Sequence, residues 1–191
     1  NNIGGSVSGK GTLGIAGGQT TLGKKLALSV AAVDQQSGIL VIDRPLTYGG
    51  TWDLLGGVLD LNTSAATLTL GGQTNLDGGT LTSFGGALVL NGNAHAGNVT
   101  IGGPTTIFVN GTLDQTGNVV FGLASNTYAT IASTGSWLVE GDSSIIGSYG
   151  LITNNGLLSD PNGSGDAQVQ ASIINNGTIS ASNSTLTLAG F

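Results

Sequence analysis

The sequence contains no cysteine and no methionine, and it has only 3 prolines among 191 residues. The absence of cysteine excludes a disulfide-stapled fold and a metal site with thiolate ligands. Charged residues make up 7% of the chain, whereas an ordinary soluble domain has about 25%. Because no initiating methionine is present, we expect a processed chain or an internal segment of a larger exported protein.

Positive charge is especially scarce, and it is confined to one part of the chain. The 4 basic residues all precede Pro45, and the formal net charge is −6. Nucleic acids, phosphates and anionic lipid surfaces are recognised through Lys and Arg, so we expect no nucleic-acid partner. No apolar run approaches the roughly 18 residues that span a bilayer, and we expect no membrane insertion by this segment.

Glycine and small polar residues take the place of charge. There are 35 glycines, while hydrophobic residues make up 39% of the chain, which is too apolar for a disordered protein. The few prolines and the lack of a strict Gly-X-Y period exclude collagen. Helices favour Ala, Glu, Lys and Arg, and this chain uses Gly, Thr, Ser and Asn instead. The composition therefore predicts short strands joined by tight turns.

A motif of glycine, any residue and a bulky hydrophobic residue returns along the chain. Its glycines are spaced 18 to 22 residues apart, at Gly57, Gly79, Gly97, Gly117, Gly135, Gly156 and Gly177. Asparagine pairs precede the last two in register, as Asn154-Asn155 and Asn175-Asn176. Between the motifs, apolar and polar residues alternate with a period of two, which is typical of strands with one buried face.

This period predicts a β-solenoid, in which each turn buries its apolar side chains by stacking on the next turn. Glycine and asparagine suit the corners because the chain there must reach positive φ. A β-sandwich or barrel is the alternative, but neither requires the same residue once per turn. We predict an all-β, parallel β-helix of about 20 residues per turn over residues 1–191, less regular in 1–47. The predicted core consists of Leu59, Leu61, Leu68, Leu70, Leu81, Leu88, Leu90, Val99, Ile107, Val119, Leu158, Ile179, Leu186 and Leu188.

The segment 22–33 allows two interpretations. Leu26, Leu28 and Val30 alternate with smaller or more polar residues, which predicts a strand. Leu22, Leu26 and Val30 are also spaced as on one side of a helix, so a short amphipathic helix is the alternative.

No catalytic motif is complete. The order His95, Asp114, Ser143 matches that of chymotrypsin-like triads, but Ser144 replaces the glycine that follows their nucleophile. Glycoside hydrolysis needs two facing carboxylates, and the acids that follow Arg44 are scattered singly along the sequence. A polysaccharide lyase would need a cationic residue there, and none follows. We predict a protein that is not an enzyme and has no cofactor or metal; the alternative is a polysaccharide lyase or hydrolase on a β-helix.

Two further patterns are weak. The loop 160–166 is rich in oxygen ligands such as Ca²⁺ prefers, but we interpret it as an excursion from one turn. Thr-x-Thr pairs such as Thr67 and Thr69 resemble the flat arrays of ice-binding solenoids. They are interrupted in other turns, and threonine is simply a good outward-facing strand residue.

If the chain binds a partner, we expect its irregular loops to do so, because the regular faces present only Thr and Ser. The alternation of apolar residues pauses within 121–128 and again within 159–170. The candidate partner-binding residues are Ser125, Asn126, Thr127, Asp160, Asn162 and Asp166. Alternatively, both loops are tolerated insertions, because loop closure costs little extra free energy as a loop lengthens.

The segments Gly-Gly-Thr-Leu-Thr, Gly-Gly-Ala-Leu-Val-Leu-Asn-Gly and Asn-Asn-Gly-Thr-Ile-Ser-Ala resemble the passenger regions of bacterial autotransporters and filamentous-haemagglutinin-like surface adhesins. The resemblance is one of repeat style and covers residues 48–191. It implies a right-handed helix that is secreted or displayed on the bacterial cell surface at the outer membrane. It also implies a structural stalk and adhesion surface in virulence, with a glycan or protein of a host or neighbouring cell as partner. The exposed strand edges of the terminal turns predict a cap or self-association through the solenoid ends.

Overall fold

The computed structural model describes residues 1–23, 25–123, 125–162 and 165–190. The described chain is all-β, contains no helix, and forms a solenoid of about nine turns with roughly 20 residues per turn. The strands pair in parallel with those of neighbouring turns. The predicted β-solenoid is confirmed, and the sandwich and barrel alternatives are wrong.

The solenoid has three faces, each built from one strand per turn. The first face contains β7 (Thr51–Leu54), β10 (Thr74–Leu76), β13 (Asn93–Ala96), β16 (Thr112–Gln115), β19 (Ser136–Val139), β22 (Leu157–Asp160) and β25 (Thr178–Ala181). The second face contains β1 (Asn2–Ile3), β8 (Val58–Leu61), β11 (Thr80–Ser83), β14 (Val99–Gly102), β17 (Val119–Leu123), β20 (Ser144–Ile146), β23 (Asp166–Val169) and β26 (Thr185–Leu188). Two long strands, β3 (Thr12–Leu22) and β5 (Ala32–Ile42), run across both of these faces.

The third face forms separate sheets. Its first two strands are β2 (Ser6–Ser8) and β4 (Ala27–Ser29), which pair with each other. A seven-stranded sheet follows, made of β6 (Leu46–Tyr48), β9 (Thr67–Leu70), β12 (Ala87–Leu90), β15 (Thr106–Val109), β18 (Thr127–Ile131), β21 (Gly150–Asn154) and β24 (Ser172–Asn175).

The turns differ in length. Ala32 pairs with Thr51, which makes that turn 19 residues long, whereas Thr112 and Ser136 are partners 24 residues apart. The additional residues lie outside the paired strands, mainly where the second face passes to the third. Irregularity of the solenoid is therefore concentrated at corners, and the strands remain stacked.

The inward side chains of all three faces form one hydrophobic core. Of the predicted core residues, the set from Leu59 to Leu158 is buried, with at most 1% of each exposed. Ile179 and Leu186 are only partly buried against the core, and Leu188 is 48% exposed. The prediction for Leu188 is wrong because β26 pairs only with β23 and no further turn covers it in this structure.

The helix alternative for the segment 22–33 is wrong. Ala27–Ser29 is a strand, Leu26 is buried and Leu28 packs against the core. Arg44 stabilises the preceding corner, because its Nε donates to the Gly23 carbonyl at 2.8 Å and its Nη2 donates to the Leu26 carbonyl at 2.9 Å. One of the few cations thus has a structural role.

The glycine motif occupies two corners of the solenoid. Gly79 and Gly117 precede strands of the second face, whereas Gly156 and Gly177 precede strands of the first. At both corners the glycines stack on the preceding turn: a Cβ on Gly79 would lie 2.8 Å from the Gly57 carbonyl oxygen. A side chain there would push successive turns apart, which explains why glycine recurs.

Candidate functional site

The third face carries no charged residue in any of its strands, from Ser6–Ser8 to Ser172–Asn175. Its outward positions hold Thr, Val, Ala, Leu and Ser, together with the exposed aromatic side chains of Phe108 and Tyr128. The face is therefore neutral, and threonine hydroxyls and aromatic rings are its main distinguishing groups.

A shallow groove of about 280 Å³ lies on this face, beside the corner that leads from the second face. Its walls come from two successive turns, and its lining residues are Asn126, Tyr128, Ser148, Tyr149, Gly150, Leu151 and Ser172. The rings of Tyr128 and Tyr149 are 42% and 58% exposed. The groove thus combines apolar ring surfaces with amide and hydroxyl groups, and none of its lining residues is charged.

The backbone packing at the corner holds Tyr149 in place. The Thr127 amide donates to the Tyr149 carbonyl at 3.1 Å. Gly122 has φ of +79°, and a Cβ there would lie 2.6 Å from the Tyr149 carbonyl carbon. Gly150 lies against the buried ring of Phe121. Glycines at 122 and 150 are therefore needed for the loop that carries Tyr149 to pack this closely.

Of the three residues predicted from the first loop, the structure places one in the groove. Asn126 is exposed and lines it, whereas Ser125 is half-buried outside the lining. Thr127 is fully buried, and its Oγ1 donates to the Gly103 carbonyl at 3.0 Å. Thr127 therefore holds the corner together and faces away from a ligand.

The residues predicted from the second loop lie at a different corner, between the first and second faces. Asn162 and Asp166 are exposed, and the Asp166 amide donates to the Asp142 carboxylate at 3.1 Å. Asp160 is fully buried, and neither carboxylate oxygen has a hydrogen-bond partner among the described residues. Gly163 and Ser164 of the predicted calcium loop lie outside the described residues.

Acids that are far apart in the sequence meet beside this second corner. Burial raises the pKa of Glu140, and the nearby Asp114 carboxylate raises it further, although a hydrogen bond from Asn162 opposes these effects. Asp160 lies close enough to add to the rise in this pKa. The sequence suggested single, scattered acids, and only the 24-residue turn between Thr112 and Ser136 brings this group together. Among the described residues, no group of three or more His, Cys, Asp or Glu side chains could hold a metal ion.

His95 lies in an outward column of polar residues on the first face. Its Nε2 is 3.1 Å from the Asp77 carboxylate and 3.2 Å from the Thr116 hydroxyl, and its backbone partner in the next turn is Asp114. Ser143 is not a hydrogen-bond partner of His95 in the described chain. The His95, Asp114, Ser143 order therefore does not correspond to an assembled triad.

The exposed aromatic residues are the feature that the sequence interpretation missed. Tyr149 stands between Ser148 and Gly150 in a turn where small or polar residues are usual, and this was the available signal. The contribution of Phe108 and Tyr128 could not be seen without the register that stacks their strands.

Comparison of the chain with protein-family models, with curated protein sequences and with solved structures found no match. None of the described residues belongs to a helix that could cross a lipid bilayer.

Proposed function

We propose that this chain is a non-catalytic segment of a bacterial surface-exposed or secreted adhesin, serving both as a structural stalk and as an adhesion surface. The observation that carries the proposal is the uncharged third face with its groove at Tyr128 and Tyr149. It is an open surface with exposed rings on an otherwise repetitive rod.

The stalk role is supported by the continuity of the stack. Parallel ladders run along each face from the first turns to β25 and β26, and one core runs through the interior. Asparagine side chains reinforce the corners, as where Asn110 donates to Asn91 at 2.8 Å and Asn176 donates to Asn155 at 3.1 Å. Each turn is thus fixed to its neighbours, as a rod that bears a load requires.

The adhesion role is supported by what is left unpaired at the groove. Within the described residues, the side chains of Asn126, Ser148, Tyr128 and Tyr149 make no hydrogen bond with the protein. Their polar groups face solvent and are free to bind another molecule. Exposed tyrosines are also enriched at protein recognition surfaces, because they combine a large apolar ring with a polar end.

Adhesion of the full chain to cells tests the proposal. Labelled protein is applied to epithelial and bacterial cells, and retention is compared with that of Tyr149→Ala, Asn126→Ala and the control Thr69→Ala, on the same face but several turns away. We expect the first two variants to lose most of the retention and the control to keep it, with all melting temperatures nearly unchanged. Absence of retention by the unaltered chain, or equal retention by all variants, would contradict an adhesive role for this groove.

A polysaccharide-active enzyme is the second candidate, and the acid group at Asp114, Glu140 and Asp160 is the observation that favours it. An acid with a raised pKa beside a second carboxylate is the arrangement used for general acid catalysis on glycosides. Release of reducing ends from a polysaccharide panel, abolished by Glu140→Gln, would support this candidate over the adhesin. No release by the unaltered chain would argue against it.

A further inference from the structure

Three exposed aromatic residues of the third face form one oblique row. The backbone partner of Phe108 in the next turn is Thr130, two residues beyond Tyr128. The partner of Tyr128 is in turn Leu151, two residues beyond Tyr149. Each step along the row therefore moves one strand along the stack and two residues back along the chain.

The spacing in this row follows from sheet geometry. Strands lie about 4.8 Å apart and residues rise about 3.3 Å along a strand, so neighbouring aromatic positions are about 8 Å apart. Phe108, Tyr128 and Tyr149 are 37%, 42% and 58% exposed. Of the other aromatic residues described, Phe84 alone is exposed, and Tyr48, Trp52, Phe121 and Trp137 are buried.

The surroundings of the row are polar but neutral. Thr130 and Thr153 occupy outward positions beside it, and the groove adds the Asn126 amide and the Ser148 hydroxyl. No strand of this face carries a charge. A charged ligand would find no opposite charge, whereas a neutral polyhydroxyl ligand would find hydrogen-bonding groups between apolar rings.

From this arrangement we infer that the row Phe108, Tyr128, Tyr149 binds a neutral pyranose oligosaccharide, laid obliquely across the strands. The apolar C–H faces of successive sugar rings stack on the aromatic rings, and sugar hydroxyls bond to the Asn126 amide and neighbouring hydroxyls. This inference rests on the proposed adhesive function and names the class of ligand for the same groove.

A protein partner suits this surface less well. Protein interfaces gain their affinity from contiguous, desolvated clusters of side chains at the centre of the contact. Here the rings are separated from one another by about 8 Å, with strand backbone and hydroxyl groups between them. Separate stacking positions in a line match a repeating ligand better than a single apolar patch.

The experiment is titration calorimetry of the full chain with a neutral β-linked glucose hexasaccharide, the matching disaccharide and an anionic uronic-acid hexasaccharide. We expect the neutral hexasaccharide to bind more tightly than the disaccharide, which reaches fewer rings, and the anionic hexasaccharide to bind least. Removal of a ring by Tyr149→Ala or Tyr128→Ala should weaken hexasaccharide binding roughly five- to tenfold. Phe108→Ala should weaken binding of the hexasaccharide but leave that of the disaccharide unchanged.

Two matched variants separate stacking from other effects. Tyr149→Phe keeps the ring and should bind within about twofold of the unaltered chain, because stacking needs only the ring. Phe84→Ala removes an exposed ring outside the row and should leave binding unchanged. Circular dichroism melting of each variant confirms that the fold is retained.

Several results would overturn the inference. One is the absence of binding to neutral oligosaccharides, and another is binding that survives both Tyr149→Ala and Tyr128→Ala. Cell retention that depends on Tyr149 but is abolished by protease treatment of the cells would identify a protein partner. Sedimentation showing a dimer that Tyr149→Ala dissociates would identify a second copy as the occupant. In the protease case the adhesive function stands while the glycan inference fails; absence of any cell retention would instead contradict the adhesive function.

Discussion

The first and third faces share one core but present opposite chemistry to solvent. Along the first face, one outward column holds Asp34, Asp53, Asn75, His95 and Asp114 in successive turns. The equivalent positions of the third face hold Thr, Val, Phe and Ile. The same backbone therefore supports two different surfaces, and outward residues can change without any change of fold.

The two surfaces also differ in how far their polar groups are used internally. On the first face Gln36 donates to the Asp34 carboxylate at 2.8 Å, Asn75 donates to Asp53, and His95 contacts Asp77. On the third face the groove side chains make no such bonds within the described residues. The charged face is engaged with itself, whereas the neutral face has groups available for a ligand.

The largest expected effect tests whether inward and outward positions of one strand are as different as the comparison requires. Leu88 is fully buried on the third face, and its neighbour Val89 points outward. Leu88→Ala should lower the free energy of unfolding by about 3–4 kcal/mol through lost burial and a cavity. Val89→Ala should change it by less than about 0.5 kcal/mol. Similar losses for both variants in denaturant unfolding would contradict the register of β12.

The second effect concerns the glycine that positions the groove. Gly122→Ala introduces a side chain at φ +79° against the Tyr149 backbone, and it should cost about 2–3 kcal/mol. It should also displace Tyr149 and weaken adhesion at the groove. The control is Gly49→Ala, because a Cβ at Gly49 meets no atom within 4 Å. Full adhesion and stability in Gly122→Ala would show that the close packing does not determine the position of the groove.

Much of the fold could be predicted from the sequence because burial and glycine placement are local properties. Leu68 and Leu70 alternate with threonines, and any stacked arrangement buries them together. The glycine motif gave the right period even though Gly79 and Gly156 lie at different corners. The corners could not be assigned, because turns of 19 to 24 residues keep no fixed offset between faces.

The site depends on that missing offset. Asn126 was predicted because it interrupts an apolar alternation, which is visible in sequence. Phe108 and Tyr149 are 41 residues apart, and their alignment depends on the pairings of Phe108 with Thr130 and of Tyr128 with Leu151. The meeting of Glu140 with Asp114 depends likewise on the longest turn. Long-range register carries this information, and a single sequence does not reveal it.

The third effect compares buried and exposed asparagines at the end of β21. Asn154 is fully buried, donates to Asn175 at 2.7 Å and to the Thr178 carbonyl at 2.9 Å, and accepts from the Gly156 amide. Asn154→Ala should cost about 1–2 kcal/mol, because it leaves buried partners unsatisfied. Asn155→Ala, at the exposed neighbour, should cost less than about 0.5 kcal/mol in the same denaturant titration. Equal costs would show that asparagine burial does not matter at this corner.

The smallest effect is a dependence of stability on pH that comes from outside the neutral third face. Burial and the neighbouring Asp114 raise the pKa of Glu140 above its ordinary value of 4.5, and burial also raises that of Asp60 above 3.8. Because the folded chain then holds these protons more tightly than the unfolded chain, the free energy of unfolding should fall as the pH rises above about 4. Glu140→Gln should reduce this decline by less than about 0.5 kcal/mol, since the group is partly exposed to screening solvent, and adding Asp60→Asn should reduce it further. Unfolding midpoints measured between pH 4 and pH 7 would contradict this assignment if the double variant declined as steeply as the unaltered chain.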